Sequence, residues 1–255
     1  MRAFRDAADA PDAQGVHLLL DGVHLVRDAL AAGIALETVA ITNHRAESGS
    51  EEATFVLALE RSGVDVVTVT EAVMAAMSPV RSPAGVVALA SRVPVTVEAI
   101  CAHRHALVIV AVDVQDPGNL GALCRAAEAG GATGVIACGA SAHPFSWKAL
   151  RGSMGSALRL PVASAESPQA AMDTIARATL ATLATVPRGG ASMQDVDWTQ
   201  RTAVFLGAEG AGLPDEVLAG CGLRVTIPMQ APVESLNVAV AAALLVYEAR
   251  RQRST

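Results

Sequence analysis

From residue 106 onward the chain alternates short apolar runs with longer stretches whose apolar positions recur every three or four residues. Strand-like and helix-like periods in alternation predict a largely parallel sheet with helices on its faces. Strands are expected at 106–113, 133–138, 180–186, 202–207 and 223–227, and helices at 118–130, 167–179 and 235–250. Shorter helical pieces are expected near 146–157 and 213–220. Residues 16–95 read as a smaller α/β unit. Here "GVHLLLDGVHLVRDALAAGI" gives a short strand, a glycine turn and a helix carrying Val23, Leu25, Val26, Ala29 and Leu30. The β-branched runs 36–42 and 64–70 are expected as buried strands around a helix over 50–63, and 79–91 as a loop followed by another strand. "RVPVTVEAICAHRHA" combines Pro94 with a polar His–Arg–His cluster and reads as the connection. The expected division is an N-terminal domain over 1–95, a linker over 96–105 and a second domain over 106–255.

Composition narrows the class. Hydrophobic residues are 52% of the 255 and charged residues 17%, which supplies a core and excludes a disordered chain. Aromatics are only 3%, so the core is built from Ala, Val and Leu. The net charge of −6 argues against a general polyanion coat but leaves room for a local basic patch. Lys148 is the only lysine, and the arginines offer planar, bidentate phosphate recognition. Cys101, Cys124, Cys138 and Cys221 stand far apart with no C-x-x-C, which predicts reduced thiols and a cytoplasmic setting. The opening "MRAFRDAADAPDAQG" has no apolar core of the signal-peptide kind, and no apolar run is long enough for a membrane span. His103 and His105 have metal-ligand spacing but no acidic or cysteine partner nearby, so no metal is expected.

Ligands gather at the carboxyl ends of strands in such sheets. The segments that follow the predicted strands are "QDPGNLG", "TVPRGG", "GAEGAGLP" and "IPMQAPVESLN", each able to turn sharply and bring backbone close to a ligand. Dinucleotide binding fails on detail: "GNLGALC" is not G-x-G-x-x-G, and no acidic residue ends the second strand. "GAEGAGLP" lacks the G-K-[ST] of a phosphate loop. Ser235 has the residue type and place of a helix N-cap.

Three segments in order carry a resemblance. "NLGALCR" with Asn119, Gly121 and Arg125, "LGAEGAGLP" with Gly207, Glu209 and Gly212, and "IPMQAPVESLNVAVAAALLVYEA" with Ile227, Pro228, Met229, Ser235, Leu236 and Asn237 resemble the motifs of the SpoU/TrmH family. That family comprises RNA ribose 2′-O-methyltransferases of the SPOUT superfamily. More loosely, "GVHLVRDAL" and "SPAGVVAL" make the N-terminal part similar to the ribosomal-protein-like RNA-binding domain of many members. The resemblance implies an α/β fold with a deep trefoil knot, S-adenosylmethionine as methyl donor, and a homodimer joined through the C-terminal helix. It implies cofactor contacts at Gly207, Ile227 and Leu236, with Met229 and Thr185 as wall residues. Arg125 is implied as the catalytic residue, with Asn119, Glu209, Ser235 and Asn237 around it.

Methylating a ribose 2′-hydroxyl needs an aligned methyl group, loss of the hydroxyl proton and stabilisation of charge on oxygen. A guanidinium holds its proton across ordinary pH, so the expected role of Arg125 is to grip a neighbouring phosphate and stabilise the developing alkoxide. A carboxylate such as Glu209 is expected to lock its rotamer. Arg81, Arg92, Arg104 and Lys148 are candidates for guiding RNA, ribosomal RNA in preference to transfer RNA. Cys124, next to Arg125, is expected to be a small buried side chain and not a nucleophile. The rival readings are a catalytically inactive RNA-binding relative of the same fold and a small-molecule methyltransferase.

Overall fold

The computed structural model describes residues 1–9, 12, 15–46 and 51–254. Ser50, at the head of the predicted 50–63 helix, lies outside the described residues. The N-terminal part contains α1 (Arg2–Asp9), β1 (His17–Asp21), α2 (Val23–Ala31), β2 (Ala35–Thr42), α3 (Asn43–Ala46), α4 (Glu51–Arg61), β3 (Asp65–Val69), α5 (Glu71–Met77), β4 (Val86–Ser91) and α6 (Val97–Cys101). The C-terminal part follows with β5 (Leu107–Val112), α7 (Pro117–Gly130), β6 (Gly134–Cys138), α8 (Trp147–Ser153), α9 (Ser156–Arg159), β7 (Val162–Ala165), α10 (Pro168–Arg177), β8 (Ala181–Thr185), β9 (Ala191–Ser192), β10 (Thr202–Leu206), α11 (Asp215–Gly220), β11 (Leu223–Thr226) and α12 (Val238–Arg253).

The first sheet has the order β1-β4-β2-β3, with β4 antiparallel to both neighbours and β2 parallel to β3. The second has the order β7-β6-β5-β10-β8-β11-β9, and every pairing in it is parallel. Strands β5, β6 and β10 are buried along their whole length, which explains why they read as continuous apolar runs and not as alternations. The chain lays β5, β6 and β7 outward in one direction and then returns, so β10 slots between β5 and β8. That reversal opens a crevice at the carboxyl ends of β10, β8 and β11.

Several local outcomes differ from the periodic reading. The expected linker is partly helical: 97–101 is helix α6, capped by Thr96 and burying Ile100 and Cys101 against residues of the second sheet. "VASA" forms the edge strand β7, which is too short and too weakly alternating for periodicity to mark it. Helix α7 starts at Pro117 because Asp116 accepts a bond from the Asn119 amide and proline occupies the first turn. Helix α12 starts at Val238 and not at 235, since Asn237 caps it through bonds from the Ala239 and Val240 amides. At its far end Arg253 bonds the carbonyls of Trp198, His105, Ala106 and Gln200, pinning the helix to the amino-terminal edge of the sheet.

The two parts share a continuous core in which Leu18, Leu20 and Ala88 join Leu107, Leu120 and Leu150. The Arg92 guanidinium lies 3.8 Å from the Phe145 ring centre and donates to the carbonyls of Gly15 (3.1 Å) and Val162 (3.4 Å). Arg159 binds Glu128 through two parallel bonds of 2.9 Å and Asp28 at 2.9 Å, tying α9 to α7 and α2. Arg92 is thus engaged at the junction of the two parts.

Candidate active site

Three backbone segments converge at the carboxyl ends of β8, β10 and β11. After β10 the chain doubles back tightly: Ala208 and Gly212 form a bridge, and Gly210 and Gly212 adopt the left-handed region at φ 86° and 71°. A side chain at Gly207 would overlap the backbone of Gly212, so this turn needs glycine there. After β8, Thr185 donates to the Phe205 carbonyl at 2.9 Å and holds the two strand ends together. After β11, residues 227–237 run across the mouth to the cap of α12.

These segments enclose a cleft of about 670 Å³, within the range of small-molecule sites. Thr185, Gly207, Ile227, Met229 and Leu236 all line it, as do Glu209, Ser235 and Asn237. Sequence reasoning does not find Pro187 and Glu234, which also stand in the wall. Pro187 sits in "TVPRGG", whose turn character is plain, whereas Glu234 is one residue before the motif serine and carries no separate signal.

At one rim Asn119, Glu209 and Asn237 close a triangle of hydrogen bonds. The Asn237 Nδ2 donates to Asn119 Oδ1 at 2.9 Å and to Glu209 Oε1 at 2.6 Å, and Asn119 Nδ2 donates to the same carboxylate oxygen at 3.1 Å. The amide orientation follows from chemistry: Asn237 Oδ1 already accepts two backbone N–H groups, so its nitrogen faces inward. Among the described residues this leaves Glu209 Oε2 and the second Asn119 N–H without a partner, one acceptor and one donor for a ligand. The three residues are 90, 28 and 118 positions apart pairwise, and each comes from a different motif.

The expected Glu209–Arg125 contact does not form, because Glu209 is bonded to the two amides. Arg125 is exposed on α7 and has no hydrogen bond or ion pair among the described residues. Six residues of helix separate it from Asn119, about 9 Å along the axis and on another face. Ser235 is exposed, and the capping role expected of it belongs to Asn237, whose backbone turns extended immediately before the helix. Gly121 explains a further motif position: a Cβ there would overlap the Ala149 carbonyl oxygen where α8 crosses α7. Cys124 is fully buried, and burial pushes its thiol up to about 12, which removes it as a nucleophile. Arg81 and Lys148 are exposed, whereas Arg104 lies before the amino end of β5, on the sheet edge opposite the cleft. Arg104 thus stands away from this site. No group of three or more His, Cys, Asp or Glu among the described residues is arranged to hold a metal, and no helix among them is long and apolar enough to cross a membrane.

The SpoU rRNA Methylase family model matches residues 106–247, and the MRM3-like substrate binding domain model matches residues 13–88. The chain is 36% identical over 242 residues to an uncharacterized tRNA/rRNA methyltransferase of Synechocystis, covering 92% of this chain and 84% of that protein. It is 32% identical over 233 residues to the 23S rRNA (guanosine(2553)-2′-O)-methyltransferase of Bacillus subtilis, covering 91% and 88%. The crystal structure of the SpoU methyltransferase AviRb from Streptomyces viridochromogenes in complex with AdoMet superposes with a TM-score of 0.86 at 27% identity, covering 99% of this chain and 98% of that one.

Proposed function

Since this chain belongs to the SpoU methylase family, we propose that it carries a methyl group from S-adenosylmethionine to a ribose 2′-hydroxyl of RNA, ribosomal RNA in preference to transfer RNA. The observation that carries the reading is the Asn119–Glu209–Asn237 triangle at the rim of the cleft. It joins the three motifs by bonds that a mere packing role would not require.

The cleft fits the methyl donor. Much of its wall is backbone and small or aliphatic side chain, which suits an adenosine held through backbone groups, and Gly207 keeps the floor clear. When bound there, S-adenosylmethionine supplies an electrophilic methyl group whose sulfur accepts the bonding electrons as it leaves. Gly207, Ile227 and Leu236 would hold the donor mainly through backbone groups, with Thr185 and Met229 as walls. Glu209 Oε2 and the free Asn119 N–H would hydrogen-bond the ribose and fix its orientation at the cleft. Holding two reactants in line in this way can be worth about 7–11 kcal/mol. Ser235 adds a hydroxyl at the same wall. Arg125 is read as the group that grips the adjacent phosphate and stabilises charge on the oxygen as its proton passes to phosphate or water.

The finer architecture belongs to the same reading. A stripe of Val240, Leu244 and Tyr247 on α12 is 49%, 39% and 51% exposed, which supports a homodimer formed through this helix. Residues 227–237 share the cleft with the loops after β8 and β10, as a chain threaded into a trefoil knot would. The N-terminal part is read as the RNA-receiving, ribosomal-protein-like domain, with Arg81 on it and Lys148 on the neighbouring α8 as contacts to substrate. Ribosomal RNA as substrate, together with four unpaired cysteines, fits a cytoplasmic enzyme.

The test is methyl transfer from labelled S-adenosylmethionine to unmodified ribosomal and transfer RNA pools, followed by alkaline digestion. Label in alkali-resistant dinucleotides from ribosomal RNA is the expected result. Cofactor binding without label in either pool would instead mark a binding-only relative.

A further inference from the structure

Many arginines of this chain are used internally. Arg159 is held by Glu128 and Asp28, Arg251 by Glu248, and Arg201 and Arg253 by backbone carbonyls. Arg81, Lys148 and Arg151 are different: all three are exposed and, among the described residues, make no hydrogen bond or ion pair. Lys148 has only the Trp147 ring beneath it, with 5.4 Å from ammonium to ring centre.

Two locks hold the segments that carry the three cations. Asp21, at the end of β1, accepts from Ser78 Oγ at 2.5 Å and from the Ala84 backbone N–H, so it closes the loop 78–84 whose middle residue is Arg81. Asp21 ends β1, the strand against which α8 packs, so the Arg81 loop and α8 are attached to the same strand. It is a weak competitor for Arg151, being turned into its loop, and burial pushes its carboxyl above the usual range. The second lock is α8 itself. Trp147 packs against the N-terminal cluster of Phe4, Leu19, Met74 and Met77, while Gly152 lies against Gly118, and Ala149 and Ser153 against Gly121 of α7. Lys148 and Arg151, three apart, therefore share the outer face of a helix wedged between the N-terminal domain and the turn that carries Asn119. The Arg92–Phe145 and Arg159–Asp28 contacts fix the distance between the two domains.

We propose that Arg81, Lys148 and Arg151 form a phosphate track that seats the RNA backbone between the N-terminal domain and the ribose site. The track rests on the reading of the chain as an RNA 2′-O-methyltransferase. Arginine at two of the three positions suits it, since a guanidinium grips a phosphate through two parallel bonds. Bases need not be read here, so the track sets where the strand lies and not which sequence lies there.

The experiment measures binding of the full chain to protein-free 23S rRNA transcribed in vitro, across a series of salt concentrations. Removing the charge that neutralises one phosphate lowers the slope of log affinity against log salt by about 0.7–0.9. The triple variant Arg81→Ala, Lys148→Ala, Arg151→Ala should therefore show a slope shallower by about 2–3 units, with affinity down on the order of tenfold or more at low salt. Binding of S-adenosylmethionine should stay unchanged, and Arg104→Ala should keep the parent slope. A Gln series at the same three positions keeps the stems and separates the effect of charge from that of packing. Unchanged slope and affinity in both series, with the parent protein active, would overturn the track and leave the activity standing. A parent protein that binds S-adenosylmethionine but methylates neither RNA pool would overturn the underlying reading.

Discussion

Asn237 carries two duties that a pair of substitutions can separate. Its Oδ1 caps α12 at 3.0 and 3.4 Å, and its Nδ2 ties Asn119 to Glu209. Asn237→Ala removes both, and loss of the cap costs about 1 kcal/mol. For a chain of this size that is a fall of about 2–4 °C in Tm. Asn237→Ser restores a good capping oxygen but supplies no amide to the triangle, so its Tm should stay within about 1 °C of the parent. Glu209 is exposed and Asn119 only half-buried, so water takes up the freed bonds and little stability goes with them. Activity should behave differently. Both variants leave Glu209 and Asn119 held only by their own 3.1 Å bond, and misplacement of orienting groups by about 1 Å can cost about 100-fold. Asn237→Asp sharpens the comparison: it keeps a capping oxygen but sets a second carboxylate against Glu209 in place of the amide donor, so it should lose activity as Asn237→Ser does. The assays are calorimetry and single-turnover methyl transfer from labelled S-adenosylmethionine. An Asn237→Ser enzyme with full activity would refute the orienting role of the triangle, and an Asn237→Ala enzyme that melts with the parent would refute the capping role.

Gly207→Ala should weaken S-adenosylmethionine binding by more than about tenfold by calorimetry, because the new methyl group meets the Gly212 backbone and must push the cleft floor aside. Gly121→Ala should instead cost stability, about 1–3 kcal/mol, by forcing α7 and α8 apart. The Arg159 bonds hold the Glu128 carboxyl below its ordinary value, so that stability is present above about pH 4.5 and lost as pH falls through the folded pKa; Glu128→Gln should flatten this acid limb in melts from pH 3 to 7. Cys124 and Cys138, both raised to about 12 mainly by burial, should resist a thiol reagent at pH 8 in the folded protein and react once it is unfolded. Leu244→Glu with Tyr247→Glu should shift the sedimentation of the protein to that of a monomer; an unchanged value would remove α12 as the contact.

Much of this is legible in the sequence because the second sheet is parallel and doubly covered. Runs such as "ALVIVAV" must then be apolar at every position, and the loops after them must carry the ligand. What stays hidden depends on residues far apart along the chain. Asn237 and Ser235 are both good capping residues, and only the course of 227–237 across the cleft decides between them. Charge alone would give Glu209 to Arg125, whereas the geometry gives it to two amides that no local pattern connects. Arg92 reads like any exposed arginine until Phe145 arrives beneath it from another domain. The linker helix α6 escapes because "VEAIC" offers barely one turn of pattern, and burial of Ile100 and Cys101 decides it.

The place of β10 also bears on how the chain is made. Strands β5 and β8 leave the ribosome before it, yet neither can pair with the other, because their shared neighbour begins at Thr202. At roughly 5–20 residues per second, the nascent chain spends about 1–4 seconds between completing β8 and completing β10, with two apolar edges awaiting the missing strand. During that interval the edges are open to other chains, and the last fifth of the sequence closes the sheet and shapes the cleft together. A chain cut short before residue 202 would therefore be a hazard to its neighbours, and not a weaker enzyme.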